Sequence, residues 1–194
     1  VRTGSGWHNS ISDSSGPPGI SEAAAGKYVP RLWLEYFNRD IRRVYLNELI
    51  DKWQNAEREG NFGLLRQNGS PKPAFTALQN LIALLQDVPG EFSPGTLSYS
   101  ITGATADIHH TLLQKQDGRF YLILWQEVPS FDLLNQRDIP VPLQAVTVRL
   151  DTAIGTANLY RPLQSTVPTA QYTSPRSLVL NVSDAPLVIE LTPV

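Results

Sequence analysis

The 194-residue chain predicts an α/β segment followed by an all-β antiparallel sandwich. Three observations carry this. Charge composition changes near residue 90: residues 1–90 hold ten Lys/Arg against nine Asp/Glu, and residues 91–194 hold six against nine. The apolar period changes at the same place, from helical spacing to short strand-like runs. Between the two, VPGEFSPG (88–95), with two Pro and two Gly, is a natural joint. The expected domains are therefore 1–90 and 91–194.

In the first domain Val1–Thr3 reads as a strand end and residues 4–20 as a Ser/Gly/Pro loop. Ser21, with Glu22 behind it, caps a predicted helix through AAAGKYVPRLWLEYFNRD. Tyr28, Leu32, Trp33 and Phe37 recur there at helical spacing, and Pro30 should kink the helix. IRRVYLNELID (41–51) reads as a strand whose near-continuous apolar character suits burial. A long connection, 52–72, leads to PAFTALQNLIALLQD (73–87), an amphipathic helix with Pro73 in its first turn. Strand–helix–strand–helix is the grammar of a parallel α/β fold. Two such units cannot cover both faces of a parallel sheet or protect its edges. The segment is therefore expected to be completed by a further polypeptide or another copy. The absence of Met anywhere in the chain fits a piece of a longer protein.

The second domain predicts seven short strands: 96–102, 107–115, 119–127, 145–151, 156–161, 176–182 and 186–192. Gln116-Asp117-Gly118 between the second and third is a tight-hairpin signal. Regular turns between short strands argue for a sandwich of about 100 residues.

A net charge of −2 argues against a nucleic-acid footprint. No apolar run reaches the roughly 18 residues that would span a bilayer. Zero cysteines exclude disulfides, thiolate metal sites and cysteine nucleophiles. They leave the compartment open. Secretion is one option, and Asn68-Gly-Ser and Asn181-Val-Ser match the acceptor pattern for glycosylation.

Few residues can carry chemistry. His8 follows Trp7 in a loop, and His109 and His110 are neighbours in one strand and so point to opposite faces. Three histidines without carboxylates at ligand spacing make a poor metal site, so no metal or cofactor is expected. T-G-S-G-W-H lacks the frame of a nucleophile elbow. Carboxylates remain. Glu48 and Asp51 fall at the C-terminal end of the strand 41–50, the end where parallel α/β folds build their sites. Gly4, Ser5, Trp7 and His8 would share that rim. Aromatic faces with carboxylates suit a sugar, although Glu48 and Asp51 could equally cap and solvate their loop.

The runs T-x-S-G-W-H (3–8), S-E-A-A-A-x-K-Y-x-P-R-L-W-L-E-Y-F-N-R-x-I-R-R-V-Y-L-N-E-L-I-D (21–51) and F-G-L-L-R-x-N-G-S-P-K-P-A-F-x-A-L (62–78) carry a family resemblance. Together they resemble the last quarter of a (β/α)8-barrel glycoside hydrolase of the retaining, cellulase-like clan. L-L-Q-K-Q-D-G-R-F-Y-L-I-L-W (112–125) and P-L-V-I-E-L-T-P (186–193) are similar to the β-sandwich that follows the barrel in many such enzymes. The resemblance implies that Val1–Thr3 is the seventh barrel strand and 42–50 the eighth, with 21–39 and 73–87 as the outer helices.

It also implies where catalysis would sit. The family's nucleophile is a Glu in the seventh-strand T-E-x-G motif, and Gly4 stands at the matching position. Retaining chemistry needs two carboxyl groups roughly 5–5.5 Å apart. The acid/base would come from a fourth strand that the chain does not contain. The resemblance thus implies a chain that is catalytically silent alone, with Trp7, His8, Tyr45, Glu48 and Asp51 as substrate-side contacts. Gly4 fits a natural pseudoenzyme, an engineered nucleophile deletion or a shifted alignment. The alternative function is a non-catalytic carbohydrate-binding or interaction module centred on the sandwich, using aromatics among Tyr99, Phe120, Tyr121, Trp125, Tyr160 and Tyr172. The expected partners are a carbohydrate and the missing N-terminal barrel portion or another copy.

Overall fold

A computed structural model describes residues 2–13, 16–53 and 57–194. The chain forms two compact units. Unit 1 comprises residues 1–79 and 129–140, and unit 2 comprises 80–128 and 141–194. Val1, the first residue of the expected opening strand, lies outside the described residues.

Unit 1 is built on a β-α-β motif. Strand β1 (Arg2–Ser5) pairs in parallel with β2 (Val44–Leu46), and helix α1 (Glu22–Asn38) lies between them in sequence. Ser21 caps α1 as its sequence predicts: its hydroxyl accepts the Ala24 N–H at 2.9 Å. The buried stripe of α1 is Ala24, Ala25, Val29 and Leu34. The expected stripe at Tyr28, Leu32, Trp33 and Phe37 is only partly covered, and Phe37 is exposed. Small Ala side chains let the helix approach its neighbours, so the larger aromatics fall to its flanks.

Strand β2 departs further from expectation. The run 41–51 yields three strand residues, and Tyr45, Leu49 and Ile50 are exposed. β2 has one strand neighbour, and its second face is uncovered. An apolar sequence predicts a buried strand only where both faces are covered. A 3-10 turn (Arg58–Gly60) and helix α2 (Pro73–Leu85) follow, and the division between the units falls within α2, after residue 79. Ile20, Ala24, Ala25, Val29, Ala74, Leu78 and Phe131 form a small core.

Phe131 belongs to a hairpin, β6 (Phe131–Asp132) and β7 (Arg137–Asp138), that comes from far along the chain. Ser130 N donates to Tyr28 Oη at 2.6 Å, and Ser21 donates to Asp138 in a short bond.

Unit 2 is a sandwich. One sheet has the order β10-β9-β12-β5-β4 and the other β11-β8-β3, all antiparallel. The strands are β3 (Tyr99–Gly103), β4 (Ile108–Gln114), β5 (Phe120–Gln126), β8 (Gln144–Leu150), β9 (Ile154–Tyr160), β10 (Ala170–Thr173), β11 (Ser177–Val182) and β12 (Leu187–Pro193). The seven expected strands all form. β10, whose four residues are mostly polar, is an addition. Gly118, at φ +86°, makes the predicted turn between β4 and β5. Alternate residues of each sheet fill the core: Phe120, Leu122 and Leu124 from β5, Leu187, Ile189 and Leu191 from β12, Val146, Val148 and Leu150 from β8, Leu178, Leu180 and Val182 from β11.

Candidate functional site at the end of the parallel pair

Because β1 and β2 run in parallel, their C-terminal ends lie side by side. Ser5 pairs with Leu46, and the Asn47 N–H reaches Ser5 O at 3.4 Å. Leu46 packs toward the unit 1 core and Ser5 is buried. The residues before them, Gly4 and Tyr45, are exposed. Tyr45 is 52% exposed.

Gly4 has φ +66°, and a Cβ built there would meet nothing within 4 Å. Conformation, not lack of room, is what favours glycine at this position. No nucleophile stands there.

Trp7 is half-buried, its ring 5.3 Å from that of Tyr28. The Arg31 guanidinium covers Tyr28 at 5.0 Å. Trp7 thus borders the rim with one side packed. The gap beside it, lined by Gly6, Leu46, Asn47, Phe62 and Leu64, offers about 10 Å³, room for no more than a single water. A ligand at this end would lie on the exposed face instead of entering that gap.

Two residues expected as substrate contacts stand inside the loop packing. His8 is 5% exposed, and its Nε2–H donates to the Pro17 carbonyl at 2.9 Å. Its ring meets Phe62 edge-on at 5.3 Å, and its Nδ1 has no hydrogen-bond partner. Asp51 is 7% exposed. Its Oδ1 accepts from Gly63 N and from Lys72 Nζ, each at 2.8 Å. Lys72, 2% exposed, also reaches Asn9 Oδ1 at 3.1 Å. A carboxylate so engaged fixes the loop after β2 to the loop before α2.

Glu48 differs. Its main chain is tied at both sides, with its N–H donating to Phe62 O and its carbonyl accepting from Leu64 N, each at 3.1 Å. The Asn47–Glu48 peptide is cis. Of its carboxylate, Oε2 lies 3.7 Å from Lys52 Nζ, and Oε1 is buried without a hydrogen-bond partner. An acceptor left without a donor is the exception in native proteins, but Oε1 is too enclosed to meet a surface ligand, and what Glu48 presents at the rim is the remaining, 21% exposed part of its side chain.

The structure therefore brings Gly4, Tyr45, Trp7 and Glu48 to one end and puts His8 and Asp51 beneath it. Sequence reasoning missed Lys72, which holds Asp51, and Asn9, which accepts from Lys72. The signal was present, since Lys72 is a lone charge between two prolines at the entry to an apolar helix. His109 and His110 do divide between faces: His109 lies 6.0 Å from the Trp125 ring and His110 5.9 Å from that of Tyr99.

No protein-family model and no curated protein matches the chain. Among solved structures it is similar to a family 39 glycoside hydrolase from the gut symbiont Bacteroides cellulosilyticus WH2, with a TM-score of 0.60 at 17% identity. The match covers 95% of this chain and 32% of that one, so the chain spans about a third of that enzyme's length. At this identity the likeness concerns the fold alone.

Proposed function

We propose that the chain is the C-terminal part of a glycoside hydrolase-like protein and binds a carbohydrate on the exposed face of β1 and β2 without cleaving it. The observation that carries this reading is the rim itself: a parallel pair whose C-terminal ends gather half-exposed Tyr45, half-buried Trp7 and Glu48, with Gly4 where the sequence resemblance would put a nucleophile. Tyr45 supplies an aromatic face for a sugar ring, the outer edge of Trp7 a second, and Glu48 an acceptor for a hydroxyl. His8 and Asp51 act beneath them, holding the loops that carry these groups. Bond cleavage would need a second carboxyl group at about 5–5.5 Å from the first. Asp51 is engaged with Lys72, which leaves Glu48 without such a partner.

We further propose that the parallel pair is completed by another polypeptide, either more of the same barrel or a second copy. Exposed Leu49 and Ile50 beside a strand with one neighbour among the described residues support this.

The test is hydrolysis of aryl glycosides beside calorimetric binding of neutral oligosaccharides. Binding without release of the aryl group is expected, with affinity lost in Tyr45→Ala. Hydrolysis by the chain as it stands, or binding indifferent to Tyr45→Ala, would overturn the reading.

A further inference from the structure

One place outside the rim gathers aromatic, apolar and hydroxyl groups around open space. It lies in unit 2, where β3 and β4, each the last strand of its sheet, border the same side of the sandwich. The ladder fixes which main-chain groups face that side. Asp151 N donates to Ser98 O at 3.0 Å and Ala104 N to Ala145 O at 3.5 Å, so Ser98 and Ala104 bond toward β8. In an antiparallel ladder direction alternates, and the main-chain groups of Tyr99 and Ile101 point away, to the open side. On β4, Asp107 O accepts the Glu127 N–H at 2.8 Å, so Ile108 and His110 face the open side by the same alternation, with the Ile108 N–H taken by Thr105 O at 3.1 Å. These four residues, with Ser100 and Thr105, line a cleft of about 450 Å³. That is within the roughly 300–1,000 Å³ of ordinary small-ligand sites.

The lining narrows the ligand class. Tyr99 and His110 stand edge to face, with ring centroids 5.9 Å apart at 86°, and form an aromatic corner. Tyr99, Ile101 and Ile108 pack against the sandwich core and make the floor apolar. Ser100 and Thr105 add hydroxyls that both donate and accept. No Lys, Arg, Asp or Glu is among the described lining residues. Burial, helped by the neighbouring His109, lowers the pKa of His110 and so favours its neutral ring. An anionic ligand would find no fixed positive charge, and a cation no carboxylate. A purely apolar ring would displace water from the outward main-chain groups of Tyr99 and Ile101 and from the hydroxyls without replacing its hydrogen bonds. A pyranose satisfies both kinds of wall, with C–H faces for the rings and hydroxyls for the polar groups.

We propose that the cleft between β3 and β4 binds a neutral saccharide through the Tyr99–His110 corner and the outward main-chain groups of β3. The inference stands on unit 2 alone and does not depend on the rim reading. It is tested by residue-resolved NMR titration of the intact chain with cellotetraose, xylotetraose and mannotetraose. Amide shifts that saturate at Tyr99–Ile101 and Thr105–His110 are expected with at least one of them. Thr105→Arg sets a long charged chain at the mouth on an exposed loop and leaves the core untouched. It should weaken that binding by about tenfold or more, the scale of losing a central contact. Tyr99→Phe, which keeps the ring, should retain it. The proposal is overturned if none of the three sugars shifts the cleft amides, or if Thr105→Arg leaves the affinity unchanged. Shifts confined to Gly6–His8 and Tyr45–Glu48 would overturn it too, while favouring the rim.

Discussion

The two units solve the same problem with different means. Unit 2 closes a thick core of Leu, Ile and Val between two sheets, and its buried Glu190 is fully engaged, although Gln144 Oε1 is buried there without a hydrogen-bond partner. Glu190, buried on β12, accepts from Tyr121 Oη at 2.8 Å, Arg119 Nη1 at 3.2 Å and Asn158 Nδ2 at 2.9 Å. Burial and the bond to Glu190 hold the Tyr121 phenol well above its ordinary pKa. Unit 1 has a core rich in Ala around one parallel pair, and it ties its loops with polar bonds instead. Ser5 Oγ, His8 Nδ1, Trp33 Nε1 and Glu48 Oε1 are buried there without hydrogen-bond partners.

The contrast predicts how each unit breaks. The largest effect should come from Lys72→Ala, which leaves Asp51 buried and alone and should cost about 3–5 kcal/mol. Denaturant melts should register it, and hydrogen exchange at the Gly63 amide, which donates to Asp51, should rise first. A paired Asp51→Leu, Lys72→Met replacement should recover most of the loss. If it does not, the polar tie matters beyond its burial. In unit 2, Leu122→Ala should cost about 2–5 kcal/mol through a cavity in the close-packed core. Here hydrogen exchange should rise across β4, β5 and β12 and not at Gly63, because the two sites share no partners.

Smaller effects separate local from tertiary causes. Gly4→Ala should cost about 1–2 kcal/mol, because the left-handed backbone strains any Cβ although the space is open. A neutral result would mean that β1 relaxes, and would weaken the assignment of glycine to conformation. Ser21→Ala should cost about 1 kcal/mol by uncapping α1, read as fraying at Ala24. The smallest effect is a pH dependence in unit 2. His110, beside His109 and Tyr99, has a lowered pKa in the folded state, first from burial and then from the charge of His109. The unfolded chain therefore binds its proton first on acidification. Stability should be complete above about pH 6.5 and fall as pH drops below it, levelling once the folded ring protonates. Melting curves of the native chain and His110→Gln, compared between these limits, isolate the contribution.

These differences also explain what could be read in advance. The sandwich strands were legible because alternation at a two-sided core leaves a period in the sequence itself, as in β8 and β11. The α1 cap was legible because it is local chemistry. β2 was over-read because its apolar residues, Tyr45, Leu49 and Ile50, look like core but are exposed. The hairpin at 131–138 was invisible since its partners, Tyr28 and Ser21, lie about a hundred residues earlier. At the rim, residue types pointed to the right end of the strands, yet burial separated them. Tyr45 and Glu48 keep surface to offer, and His8 and Asp51 are spent on holding loops.

The sharpest check is calorimetric titration of the native chain and Glu48→Gln with cellotetraose, xylotetraose and mannotetraose. Saturable binding of at least one sugar to the native chain is expected, with affinity about tenfold weaker in Glu48→Gln as a charge-assisted hydrogen bond is lost, and no sugar released by either. Equal affinity in the two proteins, or free reducing sugar in the native sample, would contradict the proposed rim site.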